Sequence, residues 1–528
     1  MIHTRRSYGG MCVAPHHLAA EAGRDVLKEG GNAVEAMVAA AATIAVVYPH
    51  MNAIGGDGFW LIHEPGKAPV AIDACGPAAG LATPEFYAGH DAIPERGPLA
   101  TLTMAGTVGG WQEALEVSRG WGGKLPLSRL FGDAAHHARQ GVAVSKSQQA
   151  LTTRHRHTLV GSPGFAETFL VDGNAPVEGS RLRQPRLATT LEHLAKAGLD
   201  DFYRGELAAG MARDLEALGS PLRLADFASY RAQRVAPLEV ALKDATLYNL
   251  PAPTQGIASL LILALYERLE VAEGKSVAHL HGLIEATKRA FILRDRCVTD
   301  PGRLPVTLQS LLEEDNLIRE AAQIDMASAL PWPHEPAAGD TIWMGCVDAE
   351  GRAVSFIQSI FWEFGSGVVL PESGVLWQNR GISFELDGEA LRGLAPGRKP
   401  FHTLNPALAR FRDGRTLVYG TMGGEGQPQT QAAVFSRYAF QGESLQQAVT
   451  APRWLLGRTW GESTTTLKLE PRFYPAMVSA LRALGHEVEV LEEAFSDTMG
   501  HAGGIVHHPD GLIEGAHDPR SDGGAAGY

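Results

Sequence analysis

Cysteine is scarce in this chain: four residues in 528, at positions 12, 75, 297 and 346, with no CxxC or CxH spacing. That argues against a disulfide framework or a thiolate zinc site and predicts reduced, buried thiols. Positive charge is also in short supply. Lys and Arg number 46 against 59 Asp and Glu, the net charge is −13, and no basic block interrupts the acidic balance. No nucleic-acid partner is expected. Long apolar runs are missing as well. The most apolar segment, residues 36–47, is shorter than the ~20 residues that cross a bilayer. The opening MIHTRRSYGGMCVAPHHLAA lacks the run of about 7–15 apolar residues of an export signal. The expectation is a cytoplasmic protein with no membrane partner.

What remains is an ordinary globular composition, 45% hydrophobic and 20% charged, with ample length for a large core. Glycine is the exception, at 60 residues. It clusters as GG at 30–31, GGDG at 55–58, and GG at 109–110, 423–424 and 503–504. Such doublets mark tight turns and helix ends, or places where backbone N–H groups must approach a ligand.

Along the chain, residues 18–28 are apolar at helical spacing and stop at Gly30-Gly31. Asn32 is the expected N-cap of a second helix, AVEAMVAAAATIAVV, whose composition implies burial on most faces. GDGFWLIHE reads as a strand. Residues 190–330 read mostly as amphipathic helix, for example SLLILALYERLEVAE and HLHGLIEATKRAFILRDR, with PLEVALKDATLYNLPAP strand-like. Residues 331–340, PWPHEPAAGD, read as an irregular linker. Beyond them strands dominate: TIWMGCV, RAVSFIQS, TLVYGTM, EVEVL and GGIVHHPDGLIEGA, with helices at TQAAVFSRYAFQ and FYPAMVSALRALG. A layered α/β or α+β protein around one sheet-rich core follows.

TIWMGCV and RAVSFIQS, joined by DAEG, form an expected β-hairpin. Counting across the turn sets Thr341 opposite Gln358 or Ser359. Paired residues have Cβ atoms about 4.5–5.5 Å apart, so a Ser359 hydroxyl can stand beside that of Thr341. By itself this is a Thr/Ser pair on a strand edge.

The surrounding segments carry more. GGNAVEAMVAAAATIAVVYPHMNAIGGDGFWLI, GDTIWMGCVDAEGRAVSFIQSIFWEFGSGVVLPESGVLWQN, GTMGGEGQ and GGIVHHPDGLIEGAHDPRSDGGAAGY together resemble the γ-glutamyltransferase family of N-terminal-nucleophile hydrolases, nearly end to end. The resemblance implies an α+β fold, a four-layer αββα sandwich, forming a single domain over residues 1–528. It implies a precursor that cuts itself between Asp340 and Thr341, at the motif T-x-x-x-x-x-V-D, into a large chain 1–340 and a small chain 341–528. The hydroxyl of Thr341 would attack the carbonyl carbon of Asp340, and water would release the resulting ester. A Thr hydroxyl is a weak nucleophile without an adjacent base. The cut frees an α-amine of pKa about 7.7–8 on the same residue, close to working pH. Ser359 stands where the family has a second Thr that hydrogen-bonds the nucleophile. Gly423 and Gly424 stand where its glycine pair offers N–H groups to the oxyanion; a plain turn is the other reading of that pair.

The substrate-gripping residues depart from the family. Its carboxylate-binding Arg is replaced by Pro84 in ATPEFY, and its Asn after the strand by Phe361. Its Gln and Asp become Arg380 and Ser383, and its Ser-Ser pair becomes His402-Thr403. The lost Asp should pair with the ammonium group of a γ-glutamyl unit. Arg380 offers a bidentate carboxylate clamp instead, although an Arg can equally be a structural ion-pair residue. His402 is a substrate-binding candidate or a satisfied core histidine, and Thr403, Phe361 and Ser383 complete the candidate pocket. The expected acyl group is short, anionic and free of an amine. The oxamate amidohydrolase branch of the family is similar in these departures, which implies hydrolysis of oxamate to oxalate and ammonia late in purine-ring degradation. A γ-glutamyl hydrolase or transferase and a glutaryl-type acylase are alternatives, as is an uncut binding or assembly protein. No metal and no organic cofactor is implied. The expected partners are a small anionic amide and the two cleaved chains for each other, with a dimer of that unit plausible.

Overall fold

The computed structural model describes residues 2–271, 274–332, 340–457 and 465–528, with Asp340 described by its backbone. Most of the linker expected at 331–340 lies outside the described residues. The strand that follows starts one residue earlier than its alternation suggests, as Asp340–Asp348.

Two antiparallel sheets of seven strands form the centre. The first runs Gly524–Gly527, Gly10–Ala14, Asp340–Asp348, Ala353–Phe361, Asp57–His63, Val70–Ala74, Gln233–Val235. The second runs Arg5–Ser7, Ile513–His517, Ala502–His507, Thr416–Thr421, Ala407–Phe411, Ala245–Asn249, Leu238–Ala241. Strand periodicity of two sends alternate side chains to opposite faces. Trp343, Val347, Phe59, Leu61 and Ile357 of the first sheet therefore meet Leu408, Val418 and Ile505 of the second in one apolar layer. Met344, Cys346, Phe356 and Trp60 point the other way, onto the helices Ala33–Val47 and Thr107–Gly120. On the far side, Leu247, Ala409, Leu417 and Val506 pack on the helices Gly256–Glu267, Val277–Cys297 and Gln427–Phe435. The order is helix, sheet, sheet, helix: the four-layer αββα sandwich.

Local sequence explains the key elements. Asn32 caps its helix through a full capping box, accepting from Val34 and Glu35 N–H while Glu35 accepts from Asn32 N–H, an arrangement worth about 0.5–2 kcal/mol. Every residue of Ala33–Val47 is buried. The helix Gly256–Glu267 differs from expectation: it is buried from Gly256 to Tyr266 rather than amphipathic, because it lies between a sheet and two further helices. The neighbouring Val277–Cys297 buries His281, Glu285, Lys288 and Arg294, and these four meet partners inside the protein. All four cysteines are buried and free. No helix among the described residues is long and apolar enough to cross a membrane.

The two sheets pack tightly around Trp343, two residues beyond Thr341. A Cβ added at Gly420 would lie 2.2 Å from Trp343 Cδ1, and one at Gly503 2.5 Å from Cζ3. The indole N–H donates to Ser355 Oγ at 3.0 Å. Gly420→Ala should therefore overpack this contact and destabilise the fold by about 1–3 kcal/mol, read as a lower midpoint in thermal unfolding. An unchanged midpoint would mean that Trp343 can move aside.

Candidate active site

The hairpin is bulged at its open end. Asp340 pairs with Phe361 and Ile342 with Gln358, so one residue, Thr341, stands against two, Ser359 and Ile360. Neither regular pairing expected for Thr341 forms, yet its hydroxyl reaches Ser359 and donates to Ser359 Oγ at 3.4 Å. This contact is long for O–H···O. Ser359 Oγ in turn accepts the N–H of Phe361 at 2.8 Å. Phe361 takes φ = +81°, a region that asparagine tolerates and a bulky residue rarely adopts. On its other side Ser359 is the direct cross-strand partner of Asp57. Thr341, Ser359 and Asp57 thus form a row at one end of the inner sheet, each no more than 1% exposed.

Asp57 is the residue that sequence reasoning missed, because GGDG read as turn chemistry. The available signal was a single carboxylate at an inward-facing position at the head of an apolar strand. Its Oδ1 accepts from Gly76 N–H at 3.0 Å, Gly106 N–H at 3.1 Å and Gln378 Nε2 at 3.1 Å. Its Oδ2 faces His402 Nε2 at 3.0 Å. Burial pushes the Asp57 carboxyl up to about 7, against the lowering effect of those N–H groups and of Arg380.

Arg380 is fully buried. Its guanidinium lies over the Phe361 ring, 3.7 Å from the centroid, and Nη2 donates to Thr403 Oγ1 at 3.2 Å. Nε and Nη1 find no acceptor among the described residues. Burial lowers its pKa to about 9, with Asp57 opposing that shift. The structural ion-pair reading of Arg380 is thus half met: an anion is near, but two of its three nitrogens have no partner among the described residues. His402 is equally buried, and its Nδ1 also lacks a partner among the described residues. Burial, then Arg380 and Lys399, hold its pKa well below the usual value, so the ring is neutral. Ser383 is placed differently from the other candidates. Its hydroxyl goes to the carbonyls of Arg380 and Phe401, at 2.9 and 3.1 Å, so it braces the turn that presents Arg380. Pro84 opens a 3-10 turn, Pro84–Tyr87, capped by Thr83.

Gly423 and Gly424 both have positive φ, +119° and +50°, directly ahead of the helix Gln427–Phe435. The turn reading holds as backbone geometry. Neither N–H has an acceptor among the described residues, and both stand at the positive end of that helix dipole. A buried network fixes the pair, also unforeseen from sequence. Gln255 Nε2 donates to both Gly424 and Thr403 carbonyls at 2.8 Å. Arg294 holds Gln255 Oε1 at 3.0 Å and Glu425 at 2.8 Å.

Among the described residues, two side-chain groups have metal-ligand chemistry, each with its donor atoms within 4.8 Å of one another: Asp57, Cys75 and His402; and His281, Glu285 and His486. Neither suits a resident cation. In the first, Arg380 already supplies positive charge, and burial raises the Cys75 thiol pKa well above its usual value, so the ligating thiolate is disfavoured. In the second, the Lys288 ammonium sits 2.7 Å from Glu285, and His281 is bonded to His486 at 2.8 Å and the Asp325 carbonyl at 3.0 Å.

Comparison with known proteins identifies the family. The gamma-glutamyltranspeptidase family model matches residues 19–528. The chain is 58% identical to the oxamate amidohydrolase proenzyme of Klebsiella pneumoniae subsp. pneumoniae, over 98% of both chains. It is 38% identical to the glutathione hydrolase-like YwrD proenzyme of Bacillus subtilis, again over 98% of both. Among solved structures, the cephalosporin acylase from Bacillus halodurans superposes with a TM-score of 0.91 at 30% identity, covering 100% of this chain and 97% of that one. The chain is a self-processing enzyme and belongs to the gamma-glutamyltranspeptidase family.

Proposed function

We propose that the chain cuts itself between Asp340 and Thr341, and that Thr341 then hydrolyses a small acidic amide, oxamate, to oxalate and ammonia. The carrying observation is Arg380: a buried guanidinium, stacked on the ring of the residue whose N–H holds Ser359, with Nε and Nη1 unpaired among the described residues. A buried cation with vacant donors fits the carboxylate of a very short acyl group.

In this reading the freed α-amine of Thr341 takes the hydroxyl proton as Oγ1 attacks the amide carbon. The oxyanion is received by the N–H groups of Gly423 and Gly424. The ammonium returns its proton to the leaving nitrogen, and ammonia departs. Water then attacks the ester by the same route and releases the dicarboxylate. Ser359 steers the Thr341 hydroxyl.

An amine-bearing γ-glutamyl group fits less well. Ser383 offers no charge, and the nearby carboxylate of Asp57 already accepts three N–H groups and faces His402 and Arg380. The name of the Klebsiella relative supports the same choice. An ammonia-release assay across oxamate and glutamine, run beside a γ-glutamyl anilide and a glutaryl amide, tests it. Oxamate should be turned over best; rapid turnover of the anilide with none of oxamate would overturn the reading.

Two variants separate processing from recognition. Thr341→Ala should remain one uncut chain in an intact-mass spectrum, and cleavage in that variant would remove Thr341 from the mechanism. Arg380→Gln should cut normally but lose about 2–4 kcal/mol of kcat/KM for oxamate, the scale of a charge-assisted bidentate contact. Failure to cut would make Arg380 structural.

A further inference from the structure

Asp57 and His402 are buried beside the guanidinium, yet no step above uses them. Charge around them balances when the site is empty of anions. Arg380 carries +1 and ionised Asp57 −1, and Lys399 pairs with Asp73 at 2.6 Å. Cys75, Tyr203 and Tyr230, the other titratable groups felt by Asp57, are held neutral by burial. A substrate carboxylate docking on Arg380 adds one negative charge among fully buried groups, where an unbalanced charge is costly.

We infer that the Asp57–His402 couple takes up one proton when an anionic substrate docks on Arg380, which makes Asp57 a positioning residue for substrate affinity. The inference rests on the carboxylate reading of Arg380. Hydrogen bonding decides where the proton goes. Oδ1 of Asp57 is committed to three N–H donors, and Oδ2 shares a hydrogen with His402 Nε2. The neutral ring therefore carries its hydrogen on Nε2, and Nδ1 holds a lone pair without a partner among the described residues. An added proton can make an imidazolium facing a carboxylate. It can equally make Oδ2–H facing Nε2, with the ring hydrogen on Nδ1. Both placements turn Nδ1 into a donor and restore neutrality around Arg380.

The linkage has a definite sign. Anion binding raises the affinity of the couple for its proton, so loss of that proton weakens anion binding. Since the unliganded carboxyl titrates at about 7, KM for oxamate should rise with pH above 7, by about tenfold per unit until the couple titrates in the complex as well. The rate of the bound complex should follow the Thr341 amine instead.

Calorimetry of the processed enzyme with pyruvate, a monoanion of oxamate's shape with no amide to cut, provides the test. In buffers of different ionisation enthalpy at pH 8, the wild type should take up close to one proton per bound anion. Asp57→Asn should take up none and should lose the pH dependence of KM while kcat keeps its profile. Absence of uptake by the wild type, measured without any variant, overturns the inference, as does equal uptake in Asp57→Asn. Pyruvate binding that survives Arg380→Gln unchanged would instead overturn the carboxylate reading on which the inference stands.

Discussion

A guanidinium with no exposure to solvent has to be answered inside the protein, and the rest of the site follows from how Arg380 is answered. Complete compensation would need an acceptor for each N–H and a fixed counter-charge. Among the described residues the compensation is partial: one hydroxyl from Thr403, the face of the Phe361 ring, and the nearby carboxylate of Asp57. That carboxylate is held by close backbone approach. A Cβ on Gly76 would lie 1.5 Å from the Met104 carbonyl oxygen, and one on Gly106 1.9 Å from that of Ala74, so only glycine brings these two N–H groups to Asp57. The glycine-rich composition is thus partly a device for stabilising one buried anion, which makes one buried cation tolerable.

Under the proposed function, Phe361 links the anion-binding residues to the Thr341–Ser359 pair. Its N–H fixes Ser359, the hydroxyl that faces Thr341, while its ring carries the guanidinium. The left-handed backbone at φ = +81° costs on the order of 1–3 kcal/mol for a non-glycine residue. The stack and the Ser359 hydrogen bond hold it there. A side chain at this position is therefore coupled to nucleophile geometry whatever substrate it faces.

Features governed by short-range rules were legible in the sequence. Asn32 and its capping box, the hairpin around residue 348 and the all-buried Ala/Val helix depend on spacing and local chemistry alone. The errors come from tertiary context. The helix Gly256–Glu267 keeps its polar residues at one end and is buried because layers cover both sides, which no window of its own sequence reveals. Asp57 was hidden by the glycines around it, since a GGDG string has turn chemistry whether or not the carboxylate points inward. Ser383 stands in the sequence where the family carries a carboxylate, but a hydroxyl is short enough to be captured by the carbonyls of Arg380 and Phe401. The bulge at Thr341 depends on a register break that alternation does not encode.

Under the proposed cut, the same atoms carry out two acyl transfers that differ in what must be recognised. In the uncut chain the strand runs through Asp340 into Thr341, and Thr341, Arg380 and His402 are each at 0% exposure. The carbonyl of Asp340 is delivered by a covalent bond, at an effective concentration that no free amide attains. Nothing has to grip it. A free amide of a few atoms has no such tether and little surface to bury, so its binding energy has to come from charge. That places the anion clamp outside the requirements of self-cleavage and at the centre of turnover.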